Sequence, residues 1–175
     1  MTPLATENPA AGTFVFADLA GYTALTARWG DEIAAEVAIA LADVAGELAA
    51  EHGGRLVKSM GDSVMLRTPT AAAGVRLGIA LAQAAPALRA RVGIHCGTAV
   101  EHAGDYFGLA VNLAARLSAQ AAPGEVLVSE PTWRAAGMHG CGAPARAVAL
   151  GPWVLGDAPQ PVDVLAVEKP CRRAS

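Results

Sequence analysis

Three short segments of the chain carry side chains that suit the binding of a nucleoside triphosphate together with Mg²⁺. Two of them supply one carboxylate each, Asp18 within residues 13–23 and Asp62 within residues 58–63. The third, residues 104–116, supplies an acid, an amide and a guanidinium: Asp105, Asn112 and Arg116. Mg²⁺ prefers hard oxygen ligands and is normally held by one or two carboxylates plus the phosphates of a substrate. Together the three segments predict a phosphoryl-transfer site.

The two carboxylates of the first segments are expected to converge at one edge of a sheet. A run of strand-like composition leads to Asp18, and Asp62 lies in a Gly-Asp turn between two such runs. Two metal ions roughly 3.5–4 Å apart could then clamp the attacking and leaving oxygens of a displacement at phosphorus. Considered alone, Asp18 could equally be a helix N-cap and Asp62 a simple turn residue.

The residues that follow Asp18 form a predicted strand-to-helix turn. Backbone N–H groups at the start of a helix make a cradle for phosphate, although an ordinary glycine turn is the alternative. The predicted cradle comprises Ala20, Gly21, Tyr22 and Thr23. The chain has neither a Walker A motif nor a Rossmann glycine motif, so a phosphate site here would be of another kind.

Asn112 and Arg116 are four residues apart in a predicted helix and should share one face of it. An arginine directed at a phosphoryl group stabilises the charge that develops there, and an asparagine can orient a sugar by hydrogen bonding. The alternative for this pair is a solvated polar helix face.

The segments that position these groups alternate between strand and helix patterns. The predicted helices cover residues 22–51 with an interruption at Gly30, then 69–85, 111–119 and 130–136. The predicted strands are residues 12–17, 55–60, 63–67, 91–96, 98–102 as the hairpin partner of 91–96, 126–129, 147–150 and 162–167. Hairpins mixed with crossover helices indicate an α+β fold, with a mainly antiparallel sheet and helices packed on one face.

Length and composition favour one domain with a core of small aliphatic side chains. The 175 residues are 53% hydrophobic but only 5% aromatic. We expect a leader at residues 1–11, a catalytic domain at 12–167 and a tail at 168–175. The net charge of −3 and the lack of a basic stripe argue against nucleic acid as a partner. Three cysteines without paired spacing, and no apolar run of about 18 residues, favour the cytoplasm over a membrane or secreted location.

The order and content of the motifs resemble the class III adenylate/guanylate cyclase catalytic domain. That family's pattern reads Phe-x-Asp-Ile-x-Gly-Phe-Thr, then Lys-x-x-Gly-Asp, then Asp-x-x-Gly-x-x-Val-Asn-x-Ala-x-Arg. The matching blocks are residues 16–23, 58–62 and 105–116, and residues 91–97 match the family's strand that ends Ile-His-x-Gly. The resemblance covers residues 12–136, with a weaker continuation toward residue 167.

This resemblance implies a ferredoxin-like (palm-type) core and a homodimer with its active sites at the interface. One protomer would supply Asp18, Asp62 and the backbone carbonyl of Leu19 to two Mg²⁺ or Mn²⁺ ions per active site. The other would supply four side chains for the base, the ribose and the transition state: Lys58, Asp105, Asn112 and Arg116. ATP would be converted to 3′,5′-cyclic AMP and pyrophosphate.

The residue types in the base-binding pair favour adenine over guanine. Lysine only donates hydrogen bonds and an ionised aspartate only accepts them. Adenine offers an acceptor at N1 and a donor at N6, which complement Lys58 and Asp105, whereas guanine presents O6 and N1–H and would mismatch both. The sequence therefore predicts ATP as the substrate.

One departure from the family pattern concerns the phosphate-binding cations. The family often has a lysine that reaches the terminal phosphates, and Leu155 stands at the corresponding place. Arg91 fits another phosphate-contacting position and could compensate in part. The alternatives that remain open are a catalytically weak or inactive nucleotide-binding regulatory module and a guanylate cyclase.

Overall fold

The computed structural model describes residues 9–84, 89–138, 145–156 and 158–168. The elements in chain order are β1 (Pro9–Asp18), α1 (Tyr22–Glu51), β2 (Arg55–Met60), β3 (Ser63–Thr68), α2 (Ala71–Ala84), β4 (Arg91–His102), β5 (Asp105–Phe107), α3 (Leu109–Gln120), β6 (Val126–Ser129), α4 (Glu130–Ala135), β7 (Arg146–Trp153) and β8 (Val162–Glu168). Residues 169–175 of the tail predicted at 168–175, most of the predicted leader and the predicted end of α2 lie outside the described residues. In the described part of the chain, no helix combines the length and the hydropathy that crossing a bilayer requires.

The strands form one sheet in the order β2-β3-β1-β4-β6-β8-β7, and β5 pairs with the outer part of β4. The pairing of β4 with β6 is parallel, and the other pairings are antiparallel. Strands β1 to β4, joined through α1 and α2, make the ferredoxin-like core. The predicted α+β class with a mainly antiparallel sheet is therefore confirmed.

The two faces of the sheet are covered by different helices. Alternate residues of β1 point to opposite faces, so Val15 and Ala17 belong to the core beneath α1, α2 and α4. Phe14 and Phe16 belong to the core on the other side, which α3 covers. Three helices thus share one face, as the fold class led us to expect. The helix that carries Asn112 and Arg116 lies on the face to which Asp18 points, two residues after Phe16.

Helix α3 lies unusually close to β4 because two residues of that strand are glycines. A Cβ on Gly93 would overlap the backbone of Ala114 and Ser118, and a Cβ on Gly97 would lie 2.8 Å from the Cβ of Ala110. This explains why the predicted hairpin between 91–96 and 98–102 is wrong. Gly97 serves helix packing rather than a turn, and β4 runs without a break to His102.

The turn of this hairpin comes later than predicted, at Ala103 and Gly104. Both have positive φ, 50° and 83°, as a two-residue turn of the type that joins antiparallel strands requires. The returning strand is β5, which pairs Asp105 with His102. The base-binding candidate Asp105 thus lies directly after a tight turn.

Three further boundaries can be compared with the sequence patterns. The interruption predicted at Gly30 is present, since that residue has φ 84° and ψ 170° within α1. Helix α2 begins at Ala71, two residues after the predicted start, and the Thr70 hydroxyl accepts a hydrogen bond from the N–H of Ala73 at 3.2 Å. Strand β1 begins at Pro9, so the end of the predicted leader is in fact strand, with Ala10 and Ala11 paired to the long β4.

We predict that Gly93→Ala lowers the free energy of unfolding by about 3 kcal/mol, because the new methyl group meets helix backbone that cannot rotate away. Urea denaturation would measure the loss. The matched control is Gly46→Ala in α1, where a Cβ has nothing within 4 Å. We expect this control to stabilise the protein by about 0.5 kcal/mol. Equal stabilities of the two variants would contradict the close packing of α3 on β4.

Candidate active site

The carboxylates of Asp18 and Asp62 meet at the edge of the sheet where β1 ends. Asp18 is the last residue of β1 and is paired in register with Ser63 on one side and Arg91 on the other. The turn that carries Asp62 is fixed to the end of β1, because the N–H of Leu19 donates to the Asp62 carbonyl at 3.0 Å. The predicted convergence of the two carboxylates is thus present in the structure.

The electrostatic environment of Asp18 contains opposing influences. Burial raises the pKa of the Asp18 carboxyl, the charge and hydrogen bond of Arg91 act against this rise, and the nearby Asp62 adds to it. Arg91 donates from its terminal nitrogen to the Asp18 carboxylate. A divalent cation would relieve the repulsion between the two acids. The donor set at this edge therefore fits a hard metal ion.

Within the described part of the chain, the other ligands of such a metal would not be acidic or imidazole side chains. Among the described residues, no cluster of three or more His, Cys, Asp or Glu side chains is present. A cation at Asp18 and Asp62 would thus complete its coordination with water, backbone carbonyl groups or substrate oxygens, as Mg²⁺ normally does. The side chain of Leu19 is 3% exposed and belongs to the core, so its contribution could come only from its backbone.

The turn from β1 into α1 leads to the N-terminus of that helix. Gly21 is left-handed, with φ 81° and ψ 21°, and its carbonyl accepts the N–H of Leu25 at 2.9 Å as α1 begins at Tyr22. No side chain caps this end of the helix. The first N–H groups of a helix have no partner within it. Ala20, Gly21, Tyr22 and Thr23 thus lie at this helix start, and their role as a phosphate cradle stays a prediction.

Lys58 and Asp105 form an ion pair with each other. The Lys58 ammonium is 2.6 Å from Asp105 Oδ2, and the N–H of Tyr106 donates to Asp105 Oδ1 at 2.7 Å. The hydrogen bond from Lys58 lowers the pKa of the Asp105 carboxyl, so Asp105 is an ionised acceptor near neutral pH. Both side chains remain about a third exposed, at 35% and 29%, and are open to a ligand.

Asn112 and Arg116 lie on the exposed side of α3, as their spacing predicts. Both line a small pocket whose other walls are Leu109, Leu113, Leu155 and Ala158. The Arg116 guanidinium lies directly against Gly156, where a Cβ would overlap it. The helix thus presents an amide and a guanidinium together, beside the segment that follows β7.

Leu155 has a structural role that the sequence pattern did not reveal. Its side chain is 2% exposed and packs in a core cluster with Leu113, Leu117 and Leu127. The family that the sequence resembles often has a phosphate-binding lysine at this position, whereas this chain has a buried apolar side chain there. Cations near the carboxylate edge therefore come from other elements, and the foremost of them is Arg91 of β4.

His95 belongs to a buried hydrogen-bond network and not to a metal site. Its Nδ1 is 2.7 Å from the hydroxyl of Ser129, which is 2.7 Å from the hydroxyl of Thr132. Thr132 in turn accepts the N–H of Cys96 at 2.8 Å. Burial lowers the pKa of His95 to about 4, so the ring is neutral at physiological pH. This network joins β4, β6 and α4 and supports a structural role for His95.

Comparison with known proteins identifies similar sequences and folds. The family model described as the adenylate and guanylate cyclase catalytic domain matches residues 5–142. An adenylate cyclase of Streptomyces coelicolor is 40% identical over 119 residues, which are 65% of this chain and 31% of that protein. An adenylate cyclase of Glutamicibacter nicotianae is 35% identical over 131 residues, 73% of this chain and 32% of that protein. The chain thus spans about a third of the length of these relatives.

Two solved structures share the fold over nearly their whole length. The adenylyl cyclase CyaB from P. aeruginosa has a TM-score of 0.82 at 23% identity and covers 98% of this chain and 100% of its own. An adenylate/guanylate cyclase/hydrolase from Silicibacter pomeroyi has a TM-score of 0.81 at 27% identity, with 92% of this chain and 98% of its own covered.

We predict that Arg91→Met raises the pKa of Asp18 further, because it removes the opposing cation while the burial and the Asp62 charge remain. Carboxyl ¹³C NMR during a pH titration would measure the shift. Because ionised Asp18 is unfavourable in the folded state, this cost is present above its folded pKa and is lost on acidification. Arg76→Met on the exposed side of α2 is the control and should leave Asp18 unchanged. A lowered pKa in Arg91→Met would contradict the assigned contact.

Proposed function

Because the chain belongs to the adenylate and guanylate cyclase catalytic domain family, we propose that it converts ATP to 3′,5′-cyclic AMP and pyrophosphate. The observation that carries the choice of ATP is the ion pair of Lys58 and Asp105, in which a donor and an ionised acceptor lie side by side. Adenine N1 can accept from Lys58 while its N6 amino group donates to Asp105. Guanine would place an acceptor and a donor the wrong way round, leaving polar groups unpaired.

Asp18 and Asp62, with the Leu19 carbonyl, would hold Mg²⁺ or Mn²⁺, two ions in each active site. When bound, these ions neutralise triphosphate charge and lower the pKa of the ribose 3′-hydroxyl. The convergence of the two acids at one sheet edge and their mutual repulsion support this assignment. Arg91 contacts the Asp18 carboxylate, and we assign it a contact with the phosphates.

The reaction would be an attack of the ribose 3′-oxygen on the α-phosphorus of the same nucleotide. A bond forms between these two atoms, the bond from the α-phosphorus to the bridging oxygen breaks, and the hydroxyl proton passes to solvent. Arg116 would stabilise the charge that develops on the α-phosphoryl group, and Asn112 would orient the ribose. The N–H groups at residues 20–23 would hold the outgoing pyrophosphate.

We further propose that the active site is shared between two copies of the chain. Three large apolar side chains, Val100, Phe107 and Leu109, are 46–51% exposed around the β4–β5 hairpin and the start of α3. Exposed apolar groups gathered next to a polar site indicate an interaction surface. A homodimer would combine the metal carboxylates of one copy with Lys58, Asp105, Asn112 and Arg116 of the other. By symmetry it would contain two equivalent sites.

A second candidate function follows from Leu155. With this position apolar, the chain could bind nucleotide with little turnover and act as a regulatory module. Guanylate cyclase activity is disfavoured because the donor of Lys58 and the acceptor of Asp105 complement adenine and not guanine.

The test is the production of cyclic nucleotide from ATP or GTP, with Mg²⁺ and then Mn²⁺, at protein concentrations that ensure dimers. Cyclic AMP from ATP would support the enzyme, whereas ATP binding without product would favour the regulatory module.

We predict that Asp62→Ala lowers the rate of cyclic AMP formation by about 100-fold or more, because a metal ligand is lost. The backbone contact between Leu19 and residue 62 does not depend on the side chain and should persist. Asp43→Ala on the exposed surface of α1 is the matched control, with wild-type activity expected. Full activity of the Asp62 variant would refute the metal assignment.

We predict that Lys58→Ala mainly reduces the preference for ATP over GTP, by about tenfold or more, because the hydrogen-bond donor that matches adenine is removed. The ratio of kcat/KM values for the two nucleotides measures this preference. A uniform loss of activity with both nucleotides and an unchanged ratio would contradict the role of Lys58 in base selection.

A further inference from the structure

Strand β2 contains a β-bulge at Val57 that changes the direction of the residues before it. Leu56 is opposite Leu66 and Lys58 is opposite Met65, so Val57 has no partner of its own on β3. In a regular strand, residues three apart point to opposite faces of the sheet. Because the bulge adds one residue to β2, Arg55 points to the same face as Lys58 although the two are three residues apart.

From that position Arg55 contacts three points of the β4–β5 hairpin (residues 91–107). Its Nη2 donates to the hydroxyl of Tyr106 at 2.9 Å and lies 3.4 Å both from the carbonyl oxygen of Gly104 and from Glu101 Oε1. The contacted residues belong to β4, to the turn and to β5. One guanidinium therefore joins β2 to both strands of the hairpin and to its turn.

The ring of Tyr106 is held between two arginines. The guanidinium carbons of Arg55 and Arg67 lie 5.3 and 5.2 Å from its centroid, and Phe14 packs against it at 5.5 Å. Tyr106 is 3% exposed, so its position is closely fixed. Arg67 keeps its Nε buried without a hydrogen-bond partner, a cost in stability. Arg67 Nη2 also donates to the Ala11 carbonyl at 2.7 Å, which ties this arginine to β1.

Tyr106 connects the arginine contacts to the base-binding pair. Its own N–H donates to Asp105 Oδ1, and Oδ2 of the same carboxylate accepts from Lys58. A continuous set of contacts thus leaves β2 at Arg55, passes through Tyr106 and Asp105, and returns to β2 at Lys58. Rotation or displacement of β5 would move the Asp105 carboxylate relative to the Lys58 ammonium.

We propose that Arg55 is a positioning residue that sets the purine preference, because it fixes Tyr106 and so holds the Asp105 carboxylate in register with Lys58. The proposal rests on the proposed function, in which Lys58 and Asp105 read the base. In this proposal Arg55 acts through Tyr106 and not through a contact with the nucleotide. Its effect should therefore appear in discrimination between bases and depend on the presence of Lys58.

The test compares the binding of non-hydrolysable ATP and GTP analogues to the full chain by calorimetry in the presence of Mg²⁺. In Arg55→Met, which keeps apolar packing on the ring, we expect the ratio of the two Kd values to fall by about tenfold. In the double variant Arg55→Met/Lys58→Ala, the ratio should be no lower than in Lys58→Ala alone, because both changes disable the same pair. Arg76→Met is the matched control on α2.

Three outcomes would overturn the proposal. The first is a wild-type ratio in Arg55→Met when Lys58→Ala lowers it. The second is a double variant whose loss is the product of the two single losses, since Arg55 would then act independently of the pair. The third is an unchanged ratio in both single variants, which would also remove the base-reading role from the proposed function.

A second variant separates positioning from folding. Tyr106→Phe removes only the hydroxyl that Arg55 contacts and leaves the ring in place, so its melting temperature should stay near that of the wild type while the Kd ratio falls. A lowered melting temperature with an unchanged ratio would show a purely structural role and overturn the proposal.

The binding experiment does not require turnover of the nucleotide. A chain that forms no cyclic AMP but shows these ratios would refute the proposed reaction and support the role of Arg55.

Discussion

The position of β4 against α3 is the constraint on which the arrangement of the whole site depends. Gly93 lets the helix backbone rest on the strand, and the Ser118 hydroxyl donates to the Arg91 carbonyl at 2.9 Å. One end of β4 therefore places Arg91 beside Asp18, while the other end carries the hairpin that presents Asp105. Because α3 is fixed to the same strand, its exposed face takes a defined position relative to both ends. A shift of β4 would move all of these groups together.

The charged groups of the site hold one another in place before any ligand is bound. Arg91 is paired with Asp18, and Lys58 with Asp105. Both pairs are partly exposed, so their side chains remain accessible to a competing ligand. The two pairs differ in their electrostatic consequence. Burial dominates at Asp18 and raises its pKa, whereas the hydrogen bond from Lys58 dominates at Asp105 and lowers its pKa. An ionised Asp105 is suited to accept a hydrogen bond from a nucleobase. Asp18, which is partly buried beside Asp62, is suited to bind a cation.

Local sequence patterns predicted those parts of the fold and the site that depend on local periodicity. The shared face of Asn112 and Arg116, the hairpin of β2 and β3, and the break at Gly30 follow from spacing and glycine positions alone. The hairpin predicted around Gly97 was wrong because glycine is favoured both in turns and under a close helix, and a single sequence does not distinguish these uses. The bulge at Val57 had no local signal, since it is defined by the pairing of β2 with β3. Contacts such as those of Arg55 depend on this long-range register.

The buried position of Leu155 bears on whether the chain is an enzyme or a regulatory relative of one. A lysine there would bring its charge into a cluster of leucines, at a cost in stability that an exposed substitution would not carry. The apolar residue is thus part of the packing of α3 and does not by itself indicate a site that has decayed. The partly exposed ion pairs of Arg91 with Asp18 and of Lys58 with Asp105 are both formed. Because these pairs hold together groups that the proposed reaction needs, they favour a site that binds and orients a nucleotide.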